Sequence, residues 1–88
     1  MADAALISKI HDVLKKGLFK DDADLVDVSD GYDDNIHVVV VSRKFDGHRE
    51  SEKNDLIWGD LIAHLSPDEW GRITLSIGVS PEEIKASS

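Results

Sequence analysis

The chain has 88 residues, of which 41% are hydrophobic and 32% charged, a balance that suits one small globular domain rather than a disordered segment. It contains no cysteine, which excludes a disulfide framework, a thiolate nucleophile and a zinc finger. Its formal net charge of −8 argues against a protein that lives on phosphate backbones, where released counterions supply most of the affinity.

Asp3 to Lys16 places Leu6, Ile7, Ile10, Val13 and Leu14 at helical spacing, with Asp3 at the start and Lys15, Lys16 and Gly17 at the end, where the helix dipole and a helix stop favour them. Ala23 to Ser29 reads as a short strand. Asp30-Gly31 and Asp33-Asp34-Asn35 are turn residues, so this strand pairs antiparallel with the next through a short polar loop. That next strand, Ile36 to Ser42, holds the most apolar run of the chain, with five of the six residues Ile36–Val41 being Ile or Val. A strand apolar on both faces is central in its sheet, covered on both sides or paired on both edges.

Ser42 to Arg49 follows as a turn with a glycine and several cations. Glu50 to Leu65 is the second helix, with a stripe of Ile57, Leu61 and Leu65 flanked by Trp58 and Ile62. Trp58 is expected to be half-buried with its indole N–H near the surface. Ser66-Pro67-Asp68-Glu69 starts a fresh helical turn by capping chemistry, and Ser80-Pro81-Glu82-Glu83 repeats that signature. Between them Ile73, Leu75 and Ile77 alternate with Thr74, Ser76 and Gly78, a one-faced third strand. The order is α-β-β-α-β-α, an α+β domain with helices on a three-stranded sheet.

Chemistry-bearing motifs are few. The acidic stretch before Gly31 fails as a calcium loop, because Val26 and Val28 stand where the first two acidic ligands belong. His11, His37, His48 and His64 show no metal-ligand spacing, and His37 suits the edge of a core better than a ligand role. No nucleophile elbow or phosphate-cradling loop is present, so the expectation is a protein that is not an enzyme. Charge is uneven along the chain: residues 1–20 carry net +2, 21–41 carry −7, 42–53 carry +1 and 54–88 carry −4. Nucleic-acid contact is thereby confined to the turn after the second strand and the first helix, and it is weak. No apolar run approaches the ~20 residues of a membrane span. The acidic Met1-Ala2-Asp3 differs from the basic start of a secretion signal, so one cytoplasmic domain over 1–88, ordered from about 4 to 86, is expected.

Val26-Asp27-Val28-Ser29 followed by Val38-Val39-Val40-Val41-Ser42-x-x-Phe45-x-Gly47-x-Arg49 resembles the BolA family. The Ile57, Leu61, Leu65 helix, the Leu75-Ser76-Ile77 strand and the Ser80-Pro81-Glu82-Glu83 end fit it too, so that the similarity runs from about residue 5 to residue 85. The resemblance implies a fold similar to a class II KH domain without its Gly-x-x-Gly loop. It implies a small regulatory adaptor that pairs with a monothiol glutaredoxin in iron–sulfur or redox homeostasis, or a nucleic-acid-binding transcription regulator acting through the turn and the start of the second helix. The family's Arg-His-Arg at the start of that helix is Lys53-Asn54-Asp55 here. Its cluster-ligand histidine falls on Arg72 or Ile73, and no His or Cys stands among Tyr32, Asp33, Asp34 and Asn35. Neither Arg nor Ile ligates iron, so no [2Fe–2S] cluster or other cofactor is expected, and no metal site. The expected contact surface for a protein partner or nucleic acid is Ser42, Arg43, Lys44, Phe45, Gly47, His48, Arg49 and Lys53, on a chain that is a monomer when alone.

Overall fold

A computed structural model describes residues 3–31 and 33–87, with side chains described as far as residue 84. The elements run α1 (Ala4–Lys16), β1 (Leu25–Asp30), β2 (Ile36–Val41), a 3₁₀ turn (Arg43–Phe45), α2 (Glu50–His64), α3 (Pro67–Trp70), β3 (Ile73–Val79) and α4 (Pro81–Ser87). The expected α+β order is therefore the observed one, with strand and helix limits shifted by one or two residues.

Local chemistry sets the ends. The Asp3 carboxylate accepts the Ala5 N–H at 2.9 Å and caps α1. The Gly17 N–H bonds to the Val13 carbonyl at 3.1 Å and closes it. In the β1–β2 loop Asp33 (φ 53°) and Asp34 (φ 64°) take the left-handed conformation that Asx residues tolerate. The Gly31 N–H donates to the Asn35 carbonyl at 2.6 Å across that loop. Ser66 and Glu69 form a reciprocal capping box on α3, each side chain bonding the other's backbone N–H.

The sheet order is β1-β2-β3, antiparallel between β1 and β2 and parallel between β2 and β3. Central placement of β2 thus comes from pairing on both edges. Its two faces are unequal: Ile36, Val38 and Val40 are buried under α1 and α2, whereas His37, Val39 and Val41 are half-buried on the other side. Leu6, Ile10 and Leu14 of α1 and Ile57 and Leu61 of α2 meet them, with Phe19, Phe45 and Leu65 closing the core.

The third strand is not one-faced, although its alternation predicts that it should be. Ile73 pairs with Ile36 and is buried in the core, but the register shifts after it: His37 pairs with Leu75 and Val39 with Ile77, so Leu75 and Ile77 lie on the face away from the helices. Leu75 and Ile77 are 41% and 37% exposed. Beneath α2 stand Ser76 and Gly78 instead. Helix and strand approach so closely there that a Cβ on Gly78 would sit 3.0 Å from both Lys53 Cβ and Phe45 Cζ. Ser76 Oγ receives the Trp58 indole N–H at 3.0 Å and donates to Asn54 Oδ1 at 2.6 Å. A small residue and a hydrogen-bonding one are what that narrow gap admits. Trp58 is half-buried as expected, and its N–H is satisfied within the protein.

Candidate functional site

The turn after β2 is built on Ser42. Its extended backbone continues the strand, with its N–H on the Val79 carbonyl at 3.0 Å, and its hydroxyl caps the 3₁₀ turn by accepting the Lys44 N–H at 3.1 Å. The same hydroxyl donates to Asp24 Oδ1 at 2.7 Å. Lys44 Nζ bonds the other oxygen, Asp24 Oδ2, at 2.8 Å and lies 3.5 Å from Asp21. Burial pushes the Asp24 carboxyl up, but the donors Lys44 and Ser42 and the lysine's charge outweigh it, so its pKa is lowered. The hydrogen bond to Asp24 raises that of Lys44, against the opposing effect of its own burial. This clamp ties the start of β1 to the turn.

Phe45 points inward, fully buried, its ring centroid 5.4 Å from that of Phe19. Asp46 (φ −56°, ψ 128°) and Gly47 (φ 76°) form a type II turn closed by the His48 N–H on the Phe45 carbonyl at 3.0 Å. The positive φ at its third position is why Gly stands there. Arg49 then caps α2 with its backbone: its N–H reaches Glu52 Oε1 at 2.8 Å and its carbonyl accepts the Lys53 N–H at 2.9 Å. His48 Nδ1 lies 3.7 Å from the same Glu52 oxygen.

Lys53 is a correction to the expected surface. It is only 3% exposed, its stem beneath β3 and its ammonium bonded to Glu50 (3.1 Å) and to Glu83 at the start of α4. The bond to Glu83 raises the Lys53 pKa, with burial opposing, and lowers that of Glu83. Ser42 and Phe45 are corrected in the same way, since both are wholly buried and hold the turn together from inside. Lys44 is half-buried in the Asp24 clamp. Of the eight expected contact residues, Arg43, Gly47, His48 and Arg49 form the exposed rim. Arg43 and Arg49 make no side-chain ion pair among the described residues.

Between this rim and α4 lies an open groove of about 630 Å³, lined by Phe45, His48, Arg49, Lys53, Ser80 and Glu83 among others. Nothing in the sequence marks its α4 wall. The Ser80-Pro81-Glu82-Glu83 signature does form a capping box, the Ser80 N–H on Glu83 Oε1 at 3.0 Å. Nothing local in it shows that Glu83 also receives Lys53. Asp24 is unmarked for the same reason, being one of seven aspartates between 21 and 34 and distinguished by its distant partners.

Such a rim offers two guanidinium groups and an imidazole beside carboxylates, suited to charge-assisted hydrogen bonds with a protein surface. Among the described residues no group of three or more His, Asp or Glu could hold a metal ion, and no helix is long and apolar enough to cross a membrane. Comparison with family models, with curated proteins and with solved structures gave no match to this chain.

Proposed function

We propose that the chain is a small, non-enzymatic, BolA-like adaptor that docks a protein partner, in the first instance a monothiol glutaredoxin, and acts in iron–sulfur or redox homeostasis without ligating the cluster itself. The observation that carries this reading is the way the turn sorts its residues. Ser42, Phe45, Lys44 and Lys53 are spent on holding the segment, while Arg43, Gly47, His48 and Arg49 are displayed beside the 630 Å³ groove. A rigidly supported, exposed loop is a favourable place for a contact surface, because little order is lost on binding.

The same sorting weakens the nucleic-acid alternative. Two of the four cations in the region, Lys44 and Lys53, are already neutralised by Asp24, Glu50 and Glu83. Few phosphates could be met, and the net charge of −8 opposes approach. Titrating a monothiol glutaredoxin into ¹⁵N-labelled protein tests the proposal. Amide shifts should concentrate at 43–49 and 80–83; if none moves at high micromolar partner, with or without cluster, the adaptor reading is lost. Titration with duplex DNA at low salt provides the contrasting arm.

A further inference from the structure

We propose that two copies of this chain associate through their β3 strands, placed antiparallel about a two-fold axis at Ile77, to make one continuous six-stranded sheet. β3 is an edge strand, paired among the described residues only with β2. Since the Val79 carbonyl accepts from Ser42, alternation along a parallel ladder turns the backbone groups of Ser76 and Gly78 outward. Such a row of donors and acceptors is a template for another strand.

The two edges of the sheet are treated differently. Asp27 and Asp30 stand on β1, so pairing that edge with itself would bring carboxylates together. Ile73–Val79 contains no charge and no proline, although the chain carries −8 overall. An irregularity at the start of β3 leaves Leu75–Val79 as its regular part. About a two-fold at Ile77 that part is self-complementary: Leu75 faces Val79 of the second copy, Ile77 faces Ile77, and Ser76 faces Gly78. Apolar side chains thus meet on the open face, and small ones meet on the helix face. That open face is already apolar on the strand, with Leu75 and Ile77 both more than a third exposed. On the helix side, Trp58 reaches this edge through its bond to Ser76, and Ile62, one turn further along α2, is 58% exposed. A two-fold contact closes on itself, so it yields a dimer and not a fibre. This departs from the monomer expected from sequence, and it shares no residue with the Arg43–Arg49 rim.

Analytical ultracentrifugation of the full chain from roughly 10 µM to 1 mM tests the proposal, since self-association follows mass action. A monomer–dimer equilibrium is expected, tightening as salt rises from about 0.1 to 1 M and screens the repulsion between two acidic copies. Ile77→Lys places like charges opposite each other and should weaken the dimer at least about tenfold, while circular dichroism shows an unchanged fold. The chain has no cysteine of its own, which permits a second measurement. Residues facing each other in a non-hydrogen-bonded antiparallel pair have Cα atoms about 4.5 Å apart, within disulfide reach. Ile77→Cys should therefore cross-link on mild oxidation much faster than Ser29→Cys on the β1 edge. A protein that stays monomeric at about 1 mM in high salt, a dimer that survives Ile77→Lys, or equal cross-linking of the two cysteine variants overturns the proposal.

Discussion

Gly47 within the turn and Gly78 of β3 beneath it are required for opposite reasons, and substituting each separates those reasons. At Gly78 a Cβ would meet Lys53 Cβ and Phe45 Cζ at 3.0 Å and Phe45 Cε2 at 3.1 Å. Ordinary contact begins several tenths of an ångström further out, and neither neighbour can yield freely. Phe45 is fully buried, and Lys53 Cβ is fixed to the backbone of α2. Overpacking of this kind costs about 1–3 kcal/mol. At Gly47 a Cβ would meet nothing within 4 Å, but φ is 76°, and the left-handed conformation costs an ordinary residue about 1–2 kcal/mol. Both Gly78→Ala and Gly47→Ala should therefore lower the midpoint of thermal unfolding, by about 4–8 °C per kcal/mol in a domain this size. Second substitutions distinguish the causes. Gly47→Asn should recover part of the loss, because Asn tolerates positive φ. Phe45→Leu should cost less in the Gly78→Ala background than in the wild type, a coupling readable from a double-mutant cycle in urea. If Gly47→Asn is no better than Gly47→Ala, or if Gly78→Ala and Phe45→Leu add without coupling, the account of the turn is wrong.

The Asp24 clamp gives stability a pH dependence. Its folded-state pKa is lowered, so the unfolded chain binds more protons between the folded and ordinary values. The contribution is fully present above the ordinary carboxylate value near pH 4, and it is lost as pH falls through the folded value. Asp24→Asn should cost about 1.5–3 kcal/mol at neutral pH and flatten the acid limb of a urea-stability profile; an unchanged acid limb refutes it. Lys44 and Lys53 titrate higher than usual, so what they add is present below the ordinary lysine value and lost as pH rises through their raised values. Lys53→Met keeps the buried stem and removes the ammonium, so amide exchange in α4 should quicken while exchange in the sheet is unchanged. Arg43→Ala and Arg49→Ala should leave stability within about 0.5 kcal/mol of wild type, since neither side chain holds the fold, yet weaken binding of the proposed glutaredoxin partner about tenfold. Unchanged partner affinity in both variants removes the rim from the site.

What the sequence determined is the set of elements and their order. Helical spacing in α1 and α2, the Ile/Val run of β2 and the two Ser-Pro-x-Glu caps are local signals, each complete within a few residues. The turn after β2 was equally legible, because a positive φ leaves its mark in the choice of Gly47. Tertiary structure alone decided which way β3 faces and which residues of the turn are displayed. The alternation in β3 marks an apolar face without saying which way it points. The close approach of α2 to Gly78 and the bond from Trp58 to Ser76 turned Leu75 and Ile77 outward. Likewise, Ser42, Lys44 and Lys53 look like a contact surface when read in line. They become supports only once Asp24 and Glu83 are brought to them across as many as thirty residues. Partners that distant leave no trace in local spacing, since the chemistry of a lysine in a turn is the same whether a carboxylate or a partner protein waits beyond it.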